Sequence, residues 1–473
     1  MRNDTERQHV KERPQVQREA FHTSRLLDFL SEKELTAQTG HPRPAWPLVL
    51  AKELVDNSLD ACEEAGIAPK VTTSVDDHGL TIIDNGPGIP PEVVAGVLDF
   101  SVRVSSREAY VAADRGAQGN ALMTVVAMPY VMDGEQGRVT IRSQGVRHEI
   151  TLSVDRIQQK PVVGHEQHAD RRFVKNGTSV TVHLPSSIFD GDGQSLQELV
   201  EDDDDLGCST PADLKCLFLQ FADAFTFLNP HLTLSSDWRG ECSTVKATNP
   251  QWAKWKPSDP TSAHWYEQEH FERLISAYLS HDAANGRNRT VREFVGEFRG
   301  LSSSGKQKKV LGGTPLHRAP LSALVNGDGR SLDSELIGNL LREMKTHSKP
   351  VKPSALGVIG KDHIATKFQA NGCEMESFEY KKAVGETDGV PWIVETAFGW
   401  CPSAERRRII TGVNWSPGIL NPFRELGSFG ESLDTILGNQ RATADEPVVL
   451  LLHLACPRVT FADRGKSTVV VEK

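Results

Sequence analysis

The spacing of apolar residues predicts a first region in which helices are mixed with antiparallel strands. Leu50, Leu54 and Leu59 recur with helical spacing, so we expect a helix over Leu48–Ala65. Another apolar helix and four strands are predicted at Ala121–Ala127, Lys70–Val75, Leu80–Asp84, Val139–Leu152 and Thr178–Leu184. Because these strands do not alternate regularly with helices, the pattern indicates an α+β sandwich rather than a parallel α/β sheet.

The rest of the chain divides into two further regions. Trp238–Pro260 is rich in Trp, Pro and polar residues, which is typical of an irregular connector. Helices are then predicted at Phe271–Leu279, Val291–Phe298 and Asp333–Met344, and the prolines of Thr346–Ser354 indicate a linker. Strands predicted at Val390–Phe398, Arg408–Val413 and Val448–Leu454 follow, with a helix near Ser432–Leu437. We therefore predict three domains, at residues 1–234, 235–353 and 354–473.

Composition narrows the class of protein. Of the 473 residues, 38% are hydrophobic, which is enough to build cores and excludes a wholly disordered chain. No apolar run reaches the roughly 18–20 residues of a membrane span, and the charged first thirty residues lack a signal-peptide core, so we expect a cytoplasmic protein with no membrane partner. Seven widely spaced cysteines without a C-x-x-C pair argue against a disulfide framework and against a zinc ribbon.

Candidate chemistry begins on the first predicted helix. Glu53 and Asn57 are four residues apart and therefore share one helix face, about one turn from each other. A carboxylate there is suited to deprotonating a water, and an amide oxygen is a ligand that Mg²⁺ accepts. Taken alone, the pair is more typical of an exposed acidic helix face.

Two glycine-containing segments extend this pattern. Asp84-Asn85-Gly86-Pro87-Gly88 directly follows a predicted strand, where a carboxylate can accept a hydrogen bond from an exocyclic amine and glycines let backbone approach a flat ligand. Arg115-Gly116-Ala117-Gln118-Gly119 precedes a predicted helix, and glycines before a helix N-terminus suit phosphate binding. The order of these segments, with Gly177-Thr178 opening a later strand, predicts a nucleotide site.

This order of motifs resembles the GHKL ATPases, which include gyrase B, MutL, the ninety-kilodalton heat-shock chaperones and histidine kinases. The resemblance implies the Bergerat ATPase sandwich, with ATP and Mg²⁺ as ligands. It implies that Glu53 is the general base, Asn57 the Mg²⁺ ligand and Asp84 the adenine reader. Further nucleotide contacts are implied for residues near the adenine or in a lid over the phosphates: Gly86, Gly88, Gly116, Ala117, Gln118, Gly119 and Thr178.

Within that family, Lys52–Ala65 (KELVDNSLDACEEA) is similar to the B subunits of type IIB topoisomerases, topoisomerase VI. Further similarity is carried by Asn229-Pro230-His231, Asn414-Trp415-Ser416-Pro417 and Asp463-Arg464-Gly465-Lys466. The resemblance implies a helix–two-turns–helix module followed by an α/β transducer domain, in which Lys466 reaches the γ-phosphate. It also implies an ATP-dependent homodimer that gates double-stranded DNA for a separate DNA-cleaving A-type subunit.

The chain departs from the pattern of that family in two places. Ala121 stands where the lid usually has a third glycine, and the family's B subunits continue beyond the transducer into a helical stalk. We therefore keep two alternatives open: a stand-alone GHKL ATPase in DNA repair or mobile-element defence, and a nucleotide-regulated scaffold.

Contact with DNA requires local basic residues, since the net charge is −10. Lys306, Lys308 and Lys309 are the favoured candidates because they lie in the region we expect to be rich in loops. Two arginine clusters are alternatives, at residues 287–292 and 406–408. The spacing of His165, His168 and Asp170 is compatible with a metal, but the polar surroundings indicate a loop and no metal site.

Overall fold

A computed structural model describes residues 30–98, 109–115, 121–155, 157, 160–189, 214–327, 331–424, 432–462 and 468–470. Within these residues the helices are α1 Glu32–Thr39, α2 Trp46–Glu64, α3 Pro91–Val97, α4 Ala121–Asp133, α5 Leu214–Leu228, α6 Gln268–Ala284, α7 Val291–Gly296, α8 Ser304–Leu311, α9 Ser334–His347, α10 Lys361–Ala370 and α11 Leu433–Asn439. The strands are β1 Lys70–Asp76, β2 Gly79–Ile83, β3 Gly137–Ser143, β4 Val146–Asp155, β5 Lys160–Ala169, β6 Thr178–His183, β7 Thr233–Trp238, β8 Glu241–Val245, β9 Glu379–Thr387, β10 Val390–Trp400, β11 Arg408–Val413, β12 Ser416–Pro417 and β13 Val448–Ala455.

The first eight strands form one sheet in the order β5-β4-β3-β6-β2-β1-β7-β8. Helices α2, α4 and α5 pack on it, and the apolar stripe of α2 (Leu50, Leu54 and Leu59) is almost fully buried. All pairings are antiparallel except that of β1 with β7. The described helices and strands thus confirm the α+β class, and the sheet continues to Val245, beyond residue 234 where we placed the first boundary.

Helices α6 to α9 form the middle region. Helix α7 begins with a capping box, in which Thr290 accepts from the Glu293 amide while the Glu293 carboxylate accepts from the Thr290 amide. Phe271, Phe294 and Phe298 are buried and contact one another with ring centroids 5.3–5.8 Å apart. Short helices are not stable by themselves, so the packing of these aromatic rings stabilises the middle region.

The last five strands form a second sheet in the order β12-β11-β13-β10-β9. Strands β11 and β13 pair in parallel, and the central strand β13 is buried at alternate residues. Apolar residues of this sheet, of the middle helices and of the end of α5 share one core, which includes Phe227, Leu340 and Ile393. The second sheet is therefore packed against both other regions.

Two expectations about local structure were wrong. His165 and His168 lie on the edge strand β5 rather than in a loop, and the predicted irregular connector Trp238–Pro260 contains β8. The lysines of the proposed DNA segment lie on helix α8, within the region that we expected to be rich in loops. Cys373 and Cys401 are paired as a disulfide, although the cysteine pattern had argued against a framework of such bonds. Among the described residues, no helix is both long enough and apolar enough to span a bilayer.

Candidate functional site

Helix α2 presents the predicted catalytic pair. Pro47 lies in its first turn, where a missing N–H costs no hydrogen bond, and the apolar stripe anchors the helix on the sheet. Glu53 is half-buried and Asn57 is exposed on the face that this anchoring leaves uncovered. Both side chains are therefore fixed on a buried helix while remaining accessible to a ligand.

Asp84 lies where three separate segments meet. Its Oδ1 accepts from the Gly86 amide at 2.8 Å and from the Thr178 amide at 3.2 Å, and its Oδ2 lies 3.3 Å from the Ser58 hydroxyl of α2. Burial raises the pKa of this carboxyl, although the same hydrogen bonds oppose the shift. The structure thus brings Asp84, Gly86 and Thr178 together beside the helix that carries Glu53 and Asn57.

The loop after β2 has a backbone that side chains would obstruct. Gly88 has φ +85°, and a Cβ there would lie 2.8 Å from Ser143 Oγ. Gly177 has φ +87°, and a Cβ there would lie 2.6 Å from the Asp84 carbonyl oxygen. Ser143 also accepts the Ile89 amide at 2.6 Å, which ties this loop to β3. Glycine is therefore required at both positions by conformation and by space.

Next to this loop lies Cys62, whose thiol would be 3.3 Å from a Cβ at Gly86. The thiol also lies 3.5 Å from the Asn85 side-chain oxygen. Burial raises the pKa of Cys62 to about 12, with the Asp84 and Glu63 carboxylates adding to the shift. The group beside the candidate site is thus a neutral thiol at physiological pH.

The remaining predicted nucleotide contacts lie outside the described residues. They are Gly116, Ala117, Gln118, Gly119 and Lys466. Their roles in the lid and at the γ-phosphate therefore stay predictions, as do the roles of the residues that the structure does describe.

A buried charge cluster lies at the C-terminal half of α2, and Arg115 is at its centre. The Arg115 guanidinium donates to both oxygens of Glu63 at 2.7 and 2.8 Å and to Asp60 at 2.7 Å, and it also contacts Asn229. Lys254 reaches Glu63 at 2.9 Å, from the segment that follows the first sheet. Arg115 immediately precedes the predicted lid, so this cluster fixes the chain at the point where the lid begins.

The cluster is balanced in charge. Three cations (Lys52, Arg115 and Lys254) contact three carboxylates (Asp56, Asp60 and Glu63). Burial favours the neutral form of Glu63, but the charges of Arg115 and Lys254 and the hydrogen bonds from His231 and Arg115 outweigh it and hold the pKa well below 4.5. For the less tightly bonded Asp60, burial prevails over Arg115 and raises the pKa.

The basic clusters proposed for DNA differ in their surroundings. On α8, Lys308 and Lys309 are exposed and Lys306 is half-buried, so this segment presents positive charge to solvent. In the alternative clusters, Arg289 pairs with Asp282 at 3.1 Å, and Arg408 pairs with Asp223 at 3.0 Å. Arg407 is fully buried. Those three arginines hold structural elements together, whereas Arg287, Arg292 and Arg406 of the same clusters are exposed, so both clusters stay alternatives to α8.

Sequence reasoning missed several residues that build the site. Ser58 follows Asn57 directly, and its contact with Asp84 could have been sought once both motifs were placed on one site. Ser143 and the Arg115–Glu63 pair had no such signal, because their partners are more than thirty residues away in the sequence.

Comparison with known proteins supports the arrangement of motifs. Residues 47–188 match the family described as histidine kinase-, DNA gyrase B-, and HSP90-like ATPases. The B subunit of type 2 DNA topoisomerase 6 from Archaeoglobus fulgidus is 23% identical over 446 residues, which cover 91% of this chain and 68% of that protein. The protein of the same name from Natronomonas pharaonis is 35% identical over 140 residues, which cover 28% of this chain but only 17% of that protein.

Among solved structures, the ATPase region of Saccharomyces cerevisiae topoisomerase II aligns with 90% of this chain and 77% of its own, at a TM-score of 0.38 and 8% identity. That overlap is loose.

Proposed function

We propose, from the GHKL ATPase family to which residues 47–188 of this chain belong, that the protein binds and hydrolyses ATP in a role similar to that of the topoisomerase VI B subunit. The observation that carries this proposal is the placement of Asp84 between Ser58, Gly86 and Thr178, beside the helix that bears Glu53 and Asn57. Three segments distant in sequence converge there on one carboxylate.

The residues present fit a nucleotide. Asp84 Oδ1 is occupied by two backbone amides, whereas Oδ2, among the described residues, faces only a hydroxyl at 3.3 Å that also donates to the Leu54 carbonyl oxygen. Oδ2 therefore retains the capacity to accept the exocyclic amine of adenine. The carbonyl oxygen of the exposed Asn57 amide suits Mg²⁺, which keeps several waters of its own.

In this proposal each residue of the site has a separate role. Glu53 accepts the proton of the attacking water, and its half-buried position on an anchored helix keeps the carboxylate in place. Asn57 would hold Mg²⁺, which would supply positive charge to the phosphate oxygens. Gly116, Ala117, Gln118 and Gly119 would cover the phosphates, and Lys466 would contact the γ-phosphate.

By the same resemblance, the protein forms an ATP-dependent homodimer that holds double-stranded DNA for a separate DNA-cleaving subunit. The exposed lysines Lys308 and Lys309 on α8, with Lys306 beside them, are the proposed phosphate contacts. Such contacts would be independent of DNA sequence and would weaken as salt rises.

Steady-state ATPase assays with Glu53→Ala and Asp84→Asn test the proposal. Loss of a general base lowers kcat by about 10²–10⁴-fold, so Glu53→Ala should bind ATP normally and turn it over hardly at all. Asp84→Asn replaces an oxygen acceptor by an amide and should abolish ATP binding, measured by calorimetry. Glu269→Ala, which alters an exposed carboxylate on α6, is the matched control. Binding without turnover in the wild type, alone and with DNA, would favour the scaffold instead.

A further inference from the structure

The turn between β11 and β12 joins the second sheet to the candidate catalytic helix. Ser416 donates its hydroxyl hydrogen to Asp56 Oδ2 at 2.7 Å, across 360 positions of sequence. Asp56 is 4% exposed, and Lys52 also donates to the same oxygen, at 2.8 Å. Asp56 precedes Asn57 and lies less than one helical turn from Glu53, so Ser416 contacts α2 at the turn that carries the proposed catalytic pair.

The turn is held rigidly on the side of the second sheet. Asn414 and Trp415 have φ values of +50° and +64°, which non-glycine residues adopt rarely and a bulky residue more rarely still. The Asn414 side chain accepts from the Cys456 amide at 2.8 Å and donates to the Cys456 carbonyl oxygen at 3.0 Å. The Trp415 amide donates to His453 Nε2 at 3.2 Å. These bonds fix a conformation that the backbone would not adopt by itself.

The same turn also contacts the first region. Asn229, at the end of α5, donates to the Trp415 carbonyl oxygen at 2.9 Å, and Asn414 lies 3.2 Å from the Asp114 carbonyl oxygen. Asp114 is two residues before the predicted lid. The Trp415 ring is fully buried, with the Lys254 ammonium 5.1 Å from its centroid. One short turn thus contacts the catalytic helix, the end of α5 and the segment that leads to the lid.

We infer that Ser416 is a positioning residue for ATP hydrolysis: its hydrogen bond to Asp56 holds the turn of α2 that carries Glu53 and Asn57, so the second sheet sets the geometry of the catalytic pair. This inference rests on the proposed function. A change in how the second sheet docks would be transmitted to Glu53 through the hydrogen bond from Ser416 to Asp56.

Two measurements on Ser416→Ala test the inference. The first is hydrogen exchange of the amides in α2, which requires no nucleotide. Loss of the bond to Asp56 should speed exchange in α2 at least about fivefold, because local opening there becomes easier. The second is steady-state ATPase activity, where we expect kcat to fall about tenfold with KM for ATP within about twofold, since Asp84 and Thr178 are untouched.

A conservative variant and a control variant distinguish a positioning role of Ser416 from a general contribution to protein stability. Ser416→Thr keeps the hydroxyl and should retain at least about half of the wild-type kcat. Ser348→Ala removes another buried hydroxyl, which donates to the Met344 carbonyl oxygen at 2.7 Å in the middle region, and should leave kcat and α2 exchange unchanged. A Ser416→Ala kcat within twofold of wild type, or an equal loss in Ser348→Ala, would overturn the inference. If the wild type hydrolyses no ATP, the proposed function fails, and unchanged α2 exchange in Ser416→Ala would then refute the inference separately.

Discussion

Replacing Arg115 with methionine is the sharpest test of the buried charge cluster. The guanidinium is fully buried and makes three hydrogen bonds of 2.7–2.8 Å to Asp60 and Glu63. Methionine fills much of the volume but leaves Asp56, Asp60 and Glu63 with Lys52 and Lys254 as their only cations in the described part of the chain. The variant therefore contains one uncompensated buried negative charge.

Breaking a buried ion pair by removing one partner costs about 3–5 kcal/mol of unfolding free energy. For a cooperative unit of roughly 200 residues, about 4 kcal/mol lowers Tm by about 10 °C. Differential scanning calorimetry at pH 7 measures this shift. Arg273→Met is the control, because Arg273 pairs with Glu269 on the surface, with both side chains more than 60% exposed, and should change Tm by less than about 2 °C.

The double variant Arg115→Met/Glu63→Gln measures the interaction between Arg115 and Glu63. It removes one charge of each sign, so it should be more stable than the sum of the single variants predicts. Glu63 ionises in the folded protein well below 4.5, so its stabilisation is present above that pH and is lost as the pH falls. This acid sensitivity should be weaker in Arg115→Met. Strict additivity, or a Tm within 2 °C of wild type for Arg115→Met, would refute the reasoning.

Two further predictions concern His363 and Cys62. Burial lowers the pKa of His363 to about 4, and its Nε2 donates to the Phe227 carbonyl oxygen at 2.9 Å. The stabilisation by neutral His363 is therefore complete above about pH 6.5. The free energy of unfolding, measured with urea, should fall by roughly 3 kcal/mol as the pH drops to 4. This pH dependence should be weaker in His363→Gln. Cys62, with a pKa near 12, should resist iodoacetamide at pH 8 while the exposed Cys242 reacts, as mass spectrometry of peptides would record. Equal labelling rates would contradict the burial of Cys62.

Local pattern was sufficient for several elements that bury one apolar face, although α5 was not predicted despite its buried apolar residues. Helix α2 and strands β1 and β2 agree with the predicted ranges to within two residues, because their apolar residues recur with clear periods. Strands β5 and β9 were missed, since both are sheet edges with mostly exposed, polar residues. Helix α10 was missed as well, because His363 and Lys367 lie on its buried side and interrupt the apolar stripe.

Motif order was sufficient to expect Asp84, Gly86 and Thr178 in one site, because Asp84 and Gly86 lie where one predicted strand ends and Thr178 lies where another begins. No local signal could have paired Arg115 with Glu63, or Ser416 with Asp56, because these partners are 52 and 360 positions apart. Such contacts depend on how whole regions dock, which periodicity and spacing do not describe. The positive φ of Trp415 is equally unpredictable, since tertiary hydrogen bonds impose it on a residue that disfavours it.

Helix α2 serves two purposes with two faces. Glu53 and Asn57 lie on the accessible face, while Asp56, Asp60 and Glu63 contact cations and a hydroxyl supplied by three other segments. An apolar interface of the same size would tolerate sliding, because hydrophobic contact has no direction. In the observed arrangement of the regions, the charges of the cluster balance and both oxygens of Glu63 accept hydrogen bonds. A displacement of one region relative to another would break these contacts and leave a buried charge without its partner. In the proposed function, the geometry of Glu53 and Asn57 and the docking of the three regions both depend on these carboxylates, so a variant that loosens the cluster should lose activity before it loses its fold.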